Sequence, residues 1–283
     1  IGARVEKAPL LVGRAAVGPG APGKLEGGLL RLDALSRVSD VEESGLLKAE
    51  APMLAEAAHQ VGGNQIRQMG TLGGNLCQET RCLYYNQSHD FQFKAPCYKR
   101  GGEVCYPFPR NDRNTCWSVY CSDIAPALMV LGAELEIVGP DKTRRMAVGE
   151  LFTGNGLRPL ALEPHEIISA VFVPPAGARA GWGYHKSTVR GGFEFAMAIM
   201  AASLRLAEDG ETCSGAAIAL GAVNEAPQRL AGAAAALVGA RLAAATLPGI
   251  APHVTQHTQP LAHRALPRRP PPDHVPGQPD AAP

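Results

Sequence analysis

Six of the seven cysteines, Cys77, Cys82, Cys97, Cys105, Cys116 and Cys121, fall within 45 residues, and only Cys213 lies elsewhere. Tyr84, Tyr85, Tyr98, Tyr106 and Tyr120, five of the six tyrosines, share that window. Residues 78–121 are polar and aromatic with no sustained period, so they read as one long loop. A loop of that length inside a compact domain is usually functional. Any fold for this chain must accommodate this sulfur-rich excursion.

Three chemistries would explain the cysteines. A disulfide framework needs an oxidising compartment, and the N-terminus IGARVEKAPLLVGRAAVGPG lacks the ordered regions of a secretory signal. Structural zinc usually uses CxxC knuckles, and the gaps here are 5, 15, 8, 11 and 5 residues. An iron–sulfur cluster is larger than one ion, so its thiolates can come from separated points of one loop. That reading fits the spacing best, with unliganded buried thiols as the bland alternative.

Composition excludes other classes. Lys+Arg 27 against Asp+Glu 26 leaves a formal charge of +1, which disfavours a nucleic-acid binder. At 46% apolar residues the chain can build a core, and no apolar run reaches the ~20 residues that span a bilayer. A cytoplasmic protein with neither nucleic-acid nor membrane partner is expected.

Along the chain, residues 17–28 form a Gly/Pro stretch expected to be neither helix nor strand, and LLRLDALSRV begins a short amphipathic element. Residues 51–61 place Met53, Leu54, Ala57, Ala58 and Val61 on one helical face. The next segment, GGNQIRQMGTLGGNLC, carries five glycines in thirteen residues and reads as a turn system rather than a helix. GTLGGN is not the GxGxxG fingerprint, but Gly70, Gly73 and Gly74 could free backbone N–H groups for an anion or flat ring. Thr71 and Asn75 add side-chain donors, and Arg67 could support a phosphate; a tight structural turn competes equally.

Ser122 and Asp123 are candidate caps for a helix with Pro126 in its first turn, ended by Gly132. AELEIVG and EIISAVFVP read as strands, as do WGYHKSTVR, FAMAIMAASLRL and CSGAAIALGAV, the last two joined by a hairpin turn at EDGE. Residues 228–245 are Ala-rich at helical spacing. From Pro248 onward, ten of the 24 prolines and four of the eight histidines argue for an irregular tail; a metal role for His253, His257, His263 and His274 is disfavoured. Cys213 reads as a core thiol.

QIRQMGTLGGNLC, SDIAPALMVLGAELEI, ELFTG, HEII and YHKSTVR, in that order over about residues 30 to 242, resemble the FAD-binding subunits of the molybdenum hydroxylases. In most members the GGN segment runs shortly into the SD segment. Here Ser122 lies 47 positions after Asn75, and the insert, RCLYYNQS above all, resembles the one in the beta subunits of 4-hydroxybenzoyl-CoA reductases, which carries an extra [4Fe-4S] cluster.

The resemblance implies an α+β fold: a PCMH-type (vanillyl-alcohol-oxidase-like) FAD-binding domain over 1–178 with the iron–sulfur insert at 77–121. A C-terminal α+β domain, like that of the CO dehydrogenase flavoprotein, follows over 179–246, with an irregular or disordered tail over 247–283. The N-terminal lobe reads as incomplete, since the second glycine loop of the family is not found and KLEGGLLRLDAL offers only Gly27 and Gly28. It further implies that Thr71, Leu72, Gly73, Gly74 and Asn75 line the phosphate–ribityl part of FAD. Asp123 would bond the ribityl hydroxyls, Ile168 pack near the flavin, and Lys186 lie beside the isoalloxazine, where a cation stabilises reduced-flavin charge.

Cys82, Cys97, Cys105 and Cys116 match the cluster ligands, with Cys77 and Cys121 in reserve. Partners would be a molybdopterin-binding large subunit, a [2Fe-2S] small subunit and a ferredoxin-like donor. The implied function is electron relay through cluster and FAD to the subunit that reductively removes the phenolic hydroxyl of 4-hydroxybenzoyl-CoA, with no catalytic residue in this chain. A related hydroxylase with another substrate, or a non-catalytic metal-stabilised interaction subunit, are the alternatives.

Overall fold

The computed structural model describes residues 20, 23–86, 95–108, 115–243 and 248–255. Two antiparallel sheets with helices packed on them make an α+β architecture. Strands β1 (Lys24–Glu26), β2 (Leu29–Asp33), β3 (Glu134–Val138), β4 (Thr143–Ala147) and β5 (Ile167–Val173) form the first sheet, in the order β1-β2-β5-β3-β4. Strands β6 (Ala180–Ser187), β7 (Ala198–Leu206), β8 (Cys213–Gly221) and β9 (Gln228–Arg229) form the second in sequence order.

Alternation decides which way each outer strand faces. Leu30 and Leu32 of β2, and Leu135 and Ile137 of β3, point into the core, while central β5 is buried over most of its length. The expectation that residues 17–28 hold no strand is corrected. Gly27 and Gly28, at φ 59° and 80°, make a two-residue turn that only glycine enters without strain, and it folds KLE back on β2.

The helices α1 (Val38–Glu43), α2 (Gly45–Glu50) and α3 (Pro52–His59) follow. Helix α3 carries Pro52 at its start and buries Met53, Leu54, Ala57 and Ala58 completely, as the spacing predicts. Helix α6 (Ile124–Val130) is buried on all sides, and Gly132 leaves it at φ 71°. Between them lie α4 (Asn64–Met69) and α5 (Leu72–Leu76), where a turn system without helix is expected. The physical reason is capping. The Thr71 hydroxyl accepts from Gly74 N at 3.1 Å and starts a short helix in spite of its glycines.

Two further expectations fail near the C-terminal end. Residues 228–245 do not form one helix. Gln228 and Arg229 pair with Leu220 and Ala219 as β9, and the helix α7 is confined to Ala231–Leu237. Gly239, at φ 82°, donates to Cys213 O at 2.8 Å and turns the chain back to β8, so strand pairing overrides alanine propensity. Residues 251–255, read as irregular, form α8 (Ala251–Thr255), with Ile250 and Val254 packed on the cluster of Cys213, Leu220, Leu230 and Leu237. A proline in a first turn is compatible with helix. The rest of the expected tail, including His257, His263 and His274, lies outside the described residues. Among the described residues no helix is long and apolar enough to cross a membrane.

The main core runs from α1–α6 and the first sheet into the second, taking in Ala201 of β7 and Ala219 of β8. The seam between the sheets therefore has a fixed geometry, and the polar groups described next lie on it.

Candidate functional site

Helix α5 is locked to the end of β2. Leu72 N donates to Ser36 O at 2.9 Å and Gly73 N to Ala34 O at 2.8 Å. A Cβ on Gly73 would stand 2.9 Å from Ala34 Cβ, so glycine is required there by close approach. The expected free N–H groups are thus a correction: Gly70 N is bonded to Ile66 O, Gly73 N to Ala34 O and Gly74 N to the Thr71 hydroxyl. Leu72 and Gly73 are buried, Thr71 and Asn75 half-buried, and Gly74 exposed.

Arg67 is corrected as well. It is buried, donating to Glu42 Oε2 at 2.7 Å and to the Gly62 carbonyl at 2.8 Å, so it holds the α1–α4 corner rather than a phosphate.

The insert delivers the chain back beside α5. Tyr120 donates from its hydroxyl to Leu76 O at 2.7 Å, and Ser122 Oγ lies 2.6 Å from Asn75 Oδ1. The Ser122 hydroxyl also accepts from Ala125 N at 3.0 Å. Ser122 therefore caps α6, and the Asp123 side chain makes no cap bond.

Asp123 instead faces the second sheet, with Oδ1 3.1 Å from Lys186 Nζ; the two side chains are 9% and 4% exposed. That oxygen makes no aligned hydrogen bond, which leaves it acceptor capacity for a ligand hydroxyl. Burial, outweighing the nearby ammonium, pushes the Asp123 carboxyl up to about 6.

Lys186 Nζ also donates to Gln60 O at 2.8 Å, at the C-terminal end of α3, where carbonyls favour a cation. Tyr184, two residues earlier on β6, donates from its hydroxyl to the Asp123 carbonyl at 2.9 Å. A polar chain thus runs from Asn75 through Ser122 and Asp123 to Lys186 and Gln60. Ile168 lies in the same apolar core as Leu72 and Leu76, just past the stretch of β5 that pairs with β2. Gln60 and Tyr184 are the members that sequence reasoning misses, whereas of the two expected caps Ser122 takes the role and Asp123 does not. A main-chain carbonyl leaves no trace in residue type.

Cys82, Cys97, Cys105 and Cys116 line one pocket together with Tyr85, Tyr98, Lys99, Tyr106, Pro107 and Ser118. Two bridges shape it: Arg81 with Val119, and Cys97 with Val104. Cys97, Cys105 and Cys116 are buried. Burial raises the Cys82 and Cys105 thiols, and main-chain N–H groups aimed at the sulfurs pull the other way. Those of Tyr85 and Tyr84 serve Cys82, and those of Trp117 and Phe108 serve Cys105.

Among the described residues no three Cys, His, Asp or Glu side chains close on one point; the four thiols stand around a shared space. Cys121 is buried next to Asp123, its thiol pushed up to about 11 mainly by burial, and Cys77 is exposed at the end of α5.

Residues 23–176 match the family model described as the FAD binding domain in molybdopterin dehydrogenase, and residues 182–267 match the CO dehydrogenase flavoprotein C-terminal domain. The aldehyde oxidoreductase FAD-binding subunit PaoB of Escherichia coli (strain K12) is 30% identical over 75% of this chain and 67% of its own length. The nicotinate dehydrogenase FAD-subunit of Eubacterium barkeri is 24% identical over 81% of this chain and 64% of its own. In fold, the chain is similar to the carbon monoxide dehydrogenase of Hydrogenophaga pseudoflava, with a TM-score of 0.65 and 24% identity over 84% of this chain and 68% of that one. The chain thus spans about two thirds of the curated relatives it matches.

Proposed function

The chain belongs to the family of FAD-binding subunits of molybdopterin dehydrogenases, and we propose that it relays electrons between an iron–sulfur cluster in its cysteine insert, FAD and the redox centres of partner subunits. The observation that carries the cluster is the meeting of Cys82, Cys97, Cys105 and Cys116, drawn from 35 residues of irregular chain, around one pocket. The donor chemistry fits. Cluster ligands are thiolates, and the N–H groups directed at Cys82 and Cys105 supply the hydrogen bonds that stabilise charged sulfur.

FAD fits the seam. In this reading the Thr71 hydroxyl, the exposed Gly74 and the Asn75 side chain border the phosphate–ribityl part, on a backbone braced by Leu72 and Gly73. Asp123 accepts from the ribityl hydroxyls, Ile168 packs beside the ring, and Lys186 brings a fixed cation to the isoalloxazine. When bound, a flavin exchanges one or two electrons. The residues hold it, keep its surroundings dry and fix the charge around it. The flavin-binding part is 1–178, and the C-terminal α+β part, expected over 179–246, takes in α8 as well, which packs on its core.

At the level of substrate, the insert's likeness to 4-hydroxybenzoyl-CoA reductase beta subunits supports reductive dehydroxylation of that thioester. Electrons would come from a ferredoxin-like donor and pass to a [2Fe-2S] small subunit and a molybdopterin-binding large subunit. The 30% identity to an aldehyde oxidoreductase FAD-binding subunit supports a second reading, an aldehyde-oxidising complex with electrons flowing outward. Assays of the purified complex with each substrate separate the two.

The test of the relay itself is the absorption spectrum of the full chain purified without oxygen. Flavin bands plus a broad shoulder bleached by dithionite are expected. Cys97→Ser should lose iron and keep flavin, and Lys186→Met should weaken flavin retention and keep iron. A colourless protein holding stoichiometric zinc would overturn the proposal in favour of a metal-stabilised interaction subunit.

A further inference from the structure

We propose that Ser118 is the residue that tunes the redox poise of the cluster in the cysteine pocket, by donating a hydrogen bond to Cys116, with Thr80 and Lys99 as positioning residues behind it. The inference rests on the cluster reading above.

Three segments meet here. The antiparallel bridge between Arg81 and Val119, with Arg81 N donating to Val119 O at 2.7 Å, sets Thr80 beside Ser118. The 3₁₀ turn Tyr98–Arg100, directly after Cys97, brings in Lys99. Ser118 Oγ lies 3.0 Å from Cys116 Sγ and 2.5 Å from Thr80 Oγ1. Lys99 Nζ donates to Thr80 Oγ1 at 2.8 Å, pairs with Glu79 at 2.6 Å and stands 4.7 Å over the Tyr85 ring. Thr80 and Ser118 are 1% and 2% exposed, and the Lys99 side chain 4%.

The two ends of this chain fix its direction. An ammonium can only donate, so Thr80 Oγ1 accepts from Lys99, and its own proton has two acceptors in reach, Ser118 Oγ at 2.5 Å and Glu79 Oε1 at 3.2 Å, of which the nearer is Ser118. A ligating thiolate can only accept, so the Ser118 proton points at Cys116. The result is Lys99 to Thr80 to Ser118 to Cys116, each bond polarising the next.

Adding one electron to a cluster adds one negative charge, part of it on the ligand sulfurs. A donor held on one sulfur, with a cation behind it, stabilises the reduced form more than the oxidised one and raises the reduction potential. Glu79 is half exposed and solvated, so it offsets the ammonium only in part.

The experiment is an EPR-monitored dithionite titration of the full chain, reconstituted anaerobically with iron and sulfide, with iron content measured on every sample. Ser118→Ala is expected to keep its iron and shift the midpoint to a more negative potential. Ser118→Thr, which restores the hydroxyl, should titrate near the wild type. Thr80→Val, which removes the hydroxyl that links Lys99 to Ser118, should shift the same way by less, and it serves should Ser118→Ala not fold. Full iron with unchanged midpoints in Ser118→Ala and Thr80→Val would overturn this inference alone, as would loss of iron from folded Ser118→Ala, which would make the residue structural. A wild-type chain that takes up no iron overturns the cluster reading and this inference with it.

Discussion

Asp123 and Lys186 are two opposite charges taken out of water together, and each is tolerable because the other is there. Lys186→Met alone leaves a buried carboxylate and should cost about 3–5 kcal/mol in urea unfolding, whereas adding Asp123→Asn should recover most of that. The pH dependence carries the same signature. The Asp123 carboxyl titrates near 6 when folded, against ~3.9 for an ordinary aspartate, so between those values the folded chain binds the extra proton. Its contribution to stability is full below pH ~4, falls by roughly 3 kcal/mol as pH rises to about 6, and is flat above. Subtracting the urea-unfolding profile of Asp123→Asn from that of the wild type isolates this step; a flat difference would mean the carboxyl is not buried as described. A carboxyl and an ammonium so placed also make a site whose charge a bound ligand can change.

Helix α5 shows what a short element can do when its ends are tied. It has only five residues and two glycines, and it survives through the Thr71 cap and the bonds of Leu72 and Gly73 to the chain after β2. Gly73→Ala would drive a methyl group into Ala34 and should destabilise by about 1–3 kcal/mol. It should also displace Thr71 and Asn75, so flavin retention is expected to fall with the urea midpoint. Gly28 offers a comparison, because a Cβ there meets nothing within 4 Å and its φ of 80° is the only obstacle. Gly28→Ala should therefore lower stability through turn strain of order 1 kcal/mol and leave flavin retention unchanged. If Gly73→Ala retains flavin like the wild type, α5 does not position the site.

At the scale of the whole molecule, the two sheets are held as one body across the seam. Ala201 and Ala219 of the second sheet belong to the core of the first, and a Cβ on Gly221 of β8 would lie 2.5 Å from Pro126 Cγ of α6. Calorimetry of the metal-free, flavin-free chain should accordingly show one cooperative transition, with calorimetric and van't Hoff enthalpies agreeing. Two resolved transitions would mean the seam is weaker than its packing implies. Much of this architecture is legible in residue order. The alternation in LLRLD and ELEIV, Pro52 and Pro126 in first turns and Gly132 after α6 act between neighbours, where chain connectivity alone enforces the outcome. The four cysteines of the pocket are legible by type and by resemblance. Other features depend on partners far along the chain. The N–H groups of Leu72 and Gly73 point inward because Ala34 and Ser36 wait there, Arg67 is consumed by Glu42, and the alanine-rich run stops at Leu237 because β8 recruits both its flanks. Lys186 reaches the carbonyl of Gln60, 126 positions away, and Ser118 meets Thr80 across 38. The sequence by itself determined the elements and the kinds of chemistry available. Only the tertiary structure decided which donors are spent and which remain, because a hydrogen-bonding group is committed by whatever packing brings within 3 Å of it, and a local pattern carries no record of that.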